Sequence, residues 1–175
     1  GMLILRNSIL SIIHSSGPVF RHTITIENGG RLSMENSSVI SDYPTETVLE
    51  GSATITGNCA IFSQINVTAT GSATVHLKSG SVSNGTICAS SDSAASFEIV
   101  DIVFSHPPFL AGQSVGNFTN ATAPSIAVME DAVANIHRYI HVTVLDGNDQ
   151  PLPGALVSTR FYASGEEGSM AYSSS

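Results

Sequence analysis

The aspartates are the first residues to test for chemistry, because paired carboxylates about 5 to 9 Å apart can hydrolyse glycosidic bonds. Asp146 and Asp149 are the only two that lie close in the sequence, and they fall in a predicted hairpin turn. Asp92 and Asp101 are expected on different faces or corners of one repeat. We therefore expect solvated turn residues rather than a catalytic pair at all of the aspartates: Asp42, Asp92, Asp101, Asp131, Asp146 and Asp149.

The histidines do not form a metal-binding pattern. His137 and His141 are four residues apart, a spacing that would place two ligands on one face of a helix. On a strand the same spacing separates the rings by about 13 Å, too far for one ion. No G-x-S-x-G nucleophile motif occurs, and no helix pattern follows Gly29 and Gly30 to form a phosphate loop. The sequence predicts no catalytic, cofactor-binding or metal-binding residue.

The elements that would position any site are repeats. Gly30, Gly51 and Gly71 each open a similar run of small and apolar residues, and a fourth run begins at Ser93 without the glycine. The period of roughly 20 to 22 residues is typical of a solenoid. The four runs are GRLSMENSSVIS, GSATITGNCAIFS, GSATVHLKSGSVSN and SAASFEIVDIVFS.

Apolar and polar residues alternate within each run, which favours a strand over a helix because side chains of a strand alternate between two faces. A further strand-like stretch precedes each glycine, at 22–27, 47–50 and 65–70, so that each repeat has about three strands. The predicted inward columns are Leu32, Ala53, Ala73 and Ala95; Met34, Ile55, Val75 and Phe97; and, beyond a turn, Val39, Ile61, Val82 and Val103.

An all-β chain with three short strands per repeat resembles the right-handed parallel β-helix of the pectate-lyase-like superfamily. Stacked coils of this kind pair each strand with its counterparts in the coils before and after it. We expect about five coils, followed by a C-terminal β-hairpin or partial β-sandwich. An antiparallel sandwich is the alternative, but it does not require columns at a fixed interval.

The predicted β-helix spans residues 1–138, and Leu10 and Ile12 point inward in its first coil. Residues 105–125 contain three prolines and little alternation, which predicts a long loop or an irregular last coil. Residues 125–139 fit a short helix or a final coil. We favour the coil, with Ile126, Val128 and Val133 inward.

Residues 139–175 begin with YIHVTVLDGNDQPLPGALV, which resembles the first hairpin of an immunoglobulin-like, carboxypeptidase-regulatory or adhesin-type surface module. The alternation of Ile140, Val142 and Val144, followed by the turn residues DGND, predicts this hairpin. A complete sandwich needs about 70 to 100 residues, so we expect either the start of such a module or a hairpin that caps the β-helix. The tail GEEGSMAYSSS is too polar for a core.

Charge and composition limit the classes of partner that this chain can bind. A formal charge of −8 and a single lysine argue against a nucleic-acid partner. The sequence has no run of about 18 apolar residues, so it gives no prediction of membrane insertion. We expect Cys59 and Cys88 to be buried free thiols on different faces. Gly1 before Met2 is typical of a residue left after tag removal, so we expect a piece of a longer protein. The surface favours an extracellular or cell-surface location, with sequons at Asn36, Asn66, Asn84, Asn117 and Asn120.

Asn36 is also a candidate for a turn-lining stack with Asn58 and Ser79. The resemblance to β-helix enzymes implies either a calcium-binding aspartate cluster beside Arg or Lys, or close aspartates with a histidine, and this chain has neither pattern. We therefore expect a non-catalytic structural or adhesive module that contacts a polysaccharide or another surface protein. The alternative is a fragment of a polysaccharide lyase or glycoside hydrolase. Self-association through a terminal coil is a further expectation.

Overall fold

The chain is all-β in the part that can be described. The computed structural model describes residues 1–14, 22–139, 143–152, 156–157 and 171–172, and no helix occurs among them. The chain divides into two compact units, Gly1–Arg138 and Tyr139–Ser175.

The first unit contains a 12-stranded sheet in which all named pairings are parallel. The sheet winds into a parallel β-solenoid of about five turns, which confirms the predicted all-β solenoid and its number of coils. Its strands are β1 (Met2–Arg6), β2 (Ile9–Ile12), β3 (Thr23–Ile26), β4 (Arg31–Leu49), β5 (Thr54–Ala69), β6 (Thr74–Ser83), β7 (Ile87–Ala89), β8 (Ser96–Phe104), β9 (Phe109–Leu110), β10 (Val115–Thr119), β11 (Ala127–Val128) and β12 (Val133–His137).

Each complete turn has three sides, as the three strand-like stretches per repeat predict. The long strands β4 and β5 each continue through two corners of the solenoid without interruption. The first side stacks β1, the beginnings of β4, β5, β6 and β8, then β10 and β12. The second side begins at β2, and the third side stacks β3, the ends of β4 and β5, then β7, β9 and β11.

The core fills the interior of the solenoid with residues that alternate along each strand. Ile55 and Val75 are fully buried and lie directly opposite each other, and Phe97 follows in the next turn. Leu32, not Met34, is the partner of Ile55, so the predicted phase of the first repeat is wrong by two residues. Because side chains alternate with period two, this even shift leaves every predicted residue of those two columns buried.

The third predicted column is wrong in two of its four members. Val39 and Val82 are buried, but Ile61 is 42% and Val103 55% exposed. The true partners of Val39 and Val82 include Phe62, and the column continues at Phe104. The cause is the corner between the first and second sides, where one residue of each turn has a positive φ and breaks the alternation. These corner residues are Asn7, Asn36, Cys59, Ser79, Asp101 and Asn120.

The segment 105–125 is more regular than the sequence predicts. It contains β9 and β10, and β10 pairs residue by residue with β8, from Val115 opposite Ser96 to Thr119 opposite Val100. Buried Leu110 and Phe118 extend the core through it. Pro107 and Pro108 precede β9, and Pro124 lies between β10 and β11, so none of the three interrupts a strand or removes a ladder hydrogen bond.

Residues 125–139 form strands and no helix, as the favoured alternative predicts. Ile126 is half-buried and packs against the core, as expected. Val128 and Val133 are 43% and 47% exposed, so the inward orientation predicted for them is wrong. Ala132 and Ala134 pack against the core instead. In the first turn, Leu10 and Ile12 pack against the core as predicted.

The second unit is described only in short stretches. Leu145 and Pro151 form an antiparallel bridge around a turn in which the Asp146 amide donates to the Gln150 carbonyl at 2.8 Å. Two more strands, β13 (Leu156–Val157) and β14 (Ala171–Tyr172), pair antiparallel. Ile140, His141 and Val142 of the predicted hairpin lie outside the described residues.

Candidate functional site

The outer surface of the first side carries columns of polar side chains. Period-two alternation places residues between the buried positions on the outside, and parallel in-register pairing stacks equivalent residues about 4.8 Å apart. One outward column contains Ser33, Thr56, His76 and Glu98, and the adjacent column contains Glu35, Asn58, Lys78 and Val100.

These two columns line a shallow groove of about 440 Å³, which we call the first-side groove. His76, Lys78, Thr56 and Asn58 are exposed in its centre. The backbone beneath them belongs to β4, β5, β6 and β8, each fixed by the core residues on its inner face. The groove is therefore a rigid surface that crosses several turns, with polar side chains standing over a partly apolar floor that includes Met34 and Leu77.

Charges in the groove are partly compensated. The Arg6 Nε lies 3.8 Å from Glu35 Oε2, and Asn117 donates to Glu98 Oε2 at 3.1 Å. Asn135 in turn donates to Asn117 at 2.9 Å, which extends the hydrogen-bonded ladder along the side. Lys78, the only lysine of the chain, forms no ion pair within the described residues. Its ammonium group is available to a ligand oxygen.

The groove carboxylates are widely separated. Glu35 lies on β4 and Glu98 on β8, with β5 and β6 between them. Three strand spacings, combined with an offset of two residues along the strands, separate their Cα atoms by about 16 Å. Hydrolysis of a glycosidic bond requires carboxylates roughly 5 to 9.5 Å apart, so these two residues do not have the spacing of a catalytic pair.

The predicted turn aspartates lie in separate places. Asp92 is an exposed turn residue that accepts from the Ser90 hydroxyl at 2.5 Å, and Asp101 occupies the positive-φ corner and accepts from Asn120 at 2.6 Å. The Asp146 carboxylate accepts from the amides of Gln150 and Asn148, and these hydrogen bonds lower its pKa below 3.8.

The histidines divide between the groove and other places. His76 lines the groove, His106 contacts the Ser105 hydroxyl at 2.9 Å, and His137 is exposed at the end of β12. His14 is buried and makes a 2.6 Å contact with Asp42, which the sequence does not predict. The hydrogen bond from His14 lowers the pKa of Asp42 below 3.8. Over the described ranges, no group of three or more His, Cys, Asp or Glu residues could hold a metal ion.

The cysteines are free, as predicted, but only one is shielded. Cys59 is exposed at the positive-φ corner, so its predicted burial is wrong. Cys88 is half-buried, and burial raises the pKa of its thiol above 9.0. The predicted stack with Asn36 and Ser79 exists at this corner, but Cys59 rather than Asn58 is its middle member.

The sequons differ in how far their side chains are engaged. Asn66 accepts from the Thr86 amide at 3.2 Å, whereas Asn117 and Asn120 donate to Glu98 and Asp101. These three asparagines therefore have structural roles in the turn-to-turn ladder.

Comparison with protein families, with curated proteins and with solved structures finds no match for this chain. A search of the described residues for a long apolar helix that could cross a membrane also finds none.

Proposed function

We propose that this chain is a non-catalytic structural and adhesive module of a secreted or cell-surface protein, and that its first-side groove binds an extended polysaccharide. The observation that carries the proposal is the in-register stacking of Thr56, Asn58, His76 and Lys78 on adjacent strands. A linear polymer with repeated hydroxyl groups is the ligand class that matches a surface with repeated donors and acceptors.

The mechanism of binding is geometric. Thr56 and Asn58 offer a hydroxyl and an amide that both donate and accept, and Lys78 adds three donors. Strands fixed by a buried core lose little conformational freedom on binding, which lowers the entropic cost of association. The formal charge of −8 opposes the approach of a polyanion, so we propose a neutral polysaccharide.

The separation of Glu35 and Glu98 supports binding without cleavage. With their Cα atoms about 16 Å apart, the two residues lack the close spacing of a glycosidase carboxylate pair. The fragment of a lyase or hydrolase remains the second candidate, and a product assay distinguishes it from the proposed function.

We also propose the finer architecture that the sequence suggests. Connections between parallel strands of one sheet are right-handed in about 98% of cases, which supports a right-handed solenoid of the pectate-lyase-like kind. The turn at Asp146–Gln150 is compatible with the first hairpin of an immunoglobulin-like module in residues 139–175.

Self-association through the first turn is a further proposal, favoured by one observation. An apolar cavity of about 460 Å³ opens beside Leu3, Leu10, Ile24 and Phe62, and Leu3 is 49% exposed. A second copy that covers this surface would bury apolar area and satisfy the free strand edge. Sedimentation equilibrium of wild type and Leu3→Asp tests it: a dimer that Leu3→Asp dissociates is expected, and a wild-type monomer contradicts it.

The test of the function is a screen on a glycan array, followed by affinity measurements with His76→Ala and Asn58→Ala. Each lost hydrogen bond costs about 1 kcal/mol, so each variant should bind several-fold more weakly. Ser81→Ala, on the second side, is the matched control and should bind as wild type does. Parallel assays for new reducing ends and unsaturated products should be negative, and product formation would favour the enzyme. Absence of binding to every glycan would refute the proposal.

A further inference from the structure

A cluster of aromatic and ionisable side chains lies outside the groove, where β4 passes from the second side to the third. The register between β4 and β5 shifts between Ile40 and Thr45, so that residues 41–44 stand opposite Gln64 alone. Such bulges often re-aim side chains next to functional sites. In solenoids, insertions in single repeats form loops on one face, which is often the binding face.

The inserted residues bring Asp42 to His14 of the first turn. The His14 side chain is 2% exposed, and its Nδ1 lies 2.6 Å from Asp42 Oδ1. The backbone N–H of His14 also donates to this carboxylate, at 3.1 Å from each oxygen. Because a carboxylate accepts from Nδ1, that nitrogen carries a proton, and Nε2 is the ring nitrogen whose lone pair a metal ion can bind.

The second ring nitrogen of His14 has no such partner. Its Nε2 is buried and is the one buried side-chain nitrogen or oxygen without a hydrogen-bond partner in the described part of the chain. A buried polar atom without a hydrogen-bond partner requires a physical explanation, and a bound ion is one such explanation. The His22 ring packs against the His14 ring, with ring centroids 4.6 Å apart and an interplanar angle of 34°.

We propose that His14 Nε2 and His22 bind one divalent transition-metal ion, Zn²⁺ or Cu²⁺, with Asp42 as the positioning residue. Two imidazoles bound tetrahedrally to one ion at about 2.1 Å place their centroids roughly 5 Å apart, close to the observed arrangement. Imidazole nitrogen selects these ions over Mg²⁺ and Ca²⁺, which prefer oxygen. A carboxylate bonded to the far nitrogen of a ligating histidine is the usual orienting arrangement.

The proposed site has two protein ligands, and water completes the coordination. The Tyr43 ring packs edge-to-face against His14 at a centroid distance of 5.5 Å and an interplanar angle of 83°. His22 is exposed and gives the ion access from solvent.

The test is calorimetric titration of the purified chain with Zn²⁺ alone, repeated with Cu²⁺. We expect one site that His22→Ala abolishes; His22 is exposed, so this variant should keep its fold. Asp42→Asn should weaken binding by about tenfold or more, as loss of such an orienting carboxylate typically does. His106→Ala is the matched control, because His106 is also exposed and the substitution is the same as in His22→Ala. It should leave the affinity unchanged.

Nitrogen-15 NMR of the histidine rings supplies a readout that a purely structural role would not move. Binding should shift the resonance of His14 Nε2 and leave Nδ1 protonated, and Asp42→Asn should alter the ring tautomer. Equal metal affinity in His22→Ala and wild type, an equal loss in His106→Ala, or no binding of either ion would each overturn the proposal.

Discussion

The left-handed corner residues show how single positions limit the stability of the solenoid. Asn, Asp and Gly tolerate a positive φ, whereas other residues pay about 1 to 2 kcal/mol for it. Asn7, Asn36 and Asn120 fit this rule, and Cys59, with φ of 52°, does not. The corner therefore stores strain at Cys59 that a better-suited residue would relieve.

Cys59→Asn should raise the free energy of unfolding by up to about 1 kcal/mol, because asparagine adopts positive φ more readily. Cys59→Val should lower it by about 1 to 2 kcal/mol, since a β-branched residue is a strong outlier there. Urea denaturation of both variants measures the difference, with Cys59→Ser as the size-matched control. Equal stability of the Asn and Val variants would contradict the assigned corner.

The two thiols should react at different rates. Burial raises the pKa of Cys88 above 9.0, so a smaller fraction of Cys88 is thiolate at pH 8 than in a cysteine with the ordinary pKa. Cys59 is exposed. With iodoacetamide at pH 8, peptide mapping by mass spectrometry should show Cys59 alkylated well before Cys88, because the thiolate is the nucleophile. Faster modification of Cys88 would contradict its placement.

At the scale of elements, the sequence predicts the strands better than their phase. Alternation identifies the buried face of β4, β5, β6 and β8. The two-residue error in the predicted phase of the first repeat, which begins at Gly30, leaves this buried face unchanged. The corner adds an odd shift that no periodic pattern reveals, which is why Ile61 and Val103 are assigned to the wrong face. Positive φ at residues such as Cys59 and Ser79 is visible only in the backbone.

The candidate sites depend on the same register. Outward Thr and Asn ladders follow from alternation, so the polar side is predictable, but the alignment of His76 and Lys78 beside Asn58 requires the pairing of β5 with β6. The contact of His14 with Asp42 spans 28 residues and depends on the register shift that places residues 41–44 opposite Gln64 alone. The spacing from Gly30 to Gly51, 51 − 30 = 21 residues, lies within the period of the other repeats, so the insertion at 41–44 is visible only in the strand register.

A pair of substitutions tests the corrected register directly. Phe62 is 1% exposed and Ile61 is 42% exposed. Phe62→Ala should lower the free energy of unfolding by about 3 to 5 kcal/mol, as expected for loss of a buried aromatic side chain. Ile61→Ala should cost less than about 1 kcal/mol. Thermal or urea unfolding measures both, and a larger loss for Ile61→Ala would restore the register that the sequence alone predicts.

At the scale of the whole first unit, stacking converts short repeats into a rigid surface. Each turn contacts its neighbours, and the core runs from Leu32 to Phe118 through every turn between them. Such an array presents its outer side chains at a fixed spacing. The proposed recognition of a repeating polymer depends on this regularity rather than on any one residue.

The most direct measurement is amide NMR of the isotope-labelled chain, titrated with a neutral oligosaccharide long enough to span the groove. The account predicts that chemical-shift changes concentrate on the first side, at Thr56, Asn58, His76 and Lys78, with the second and third sides unchanged. Changes centred on another side, or none with any glycan that the array retains, would contradict the assignment of the groove as the binding surface.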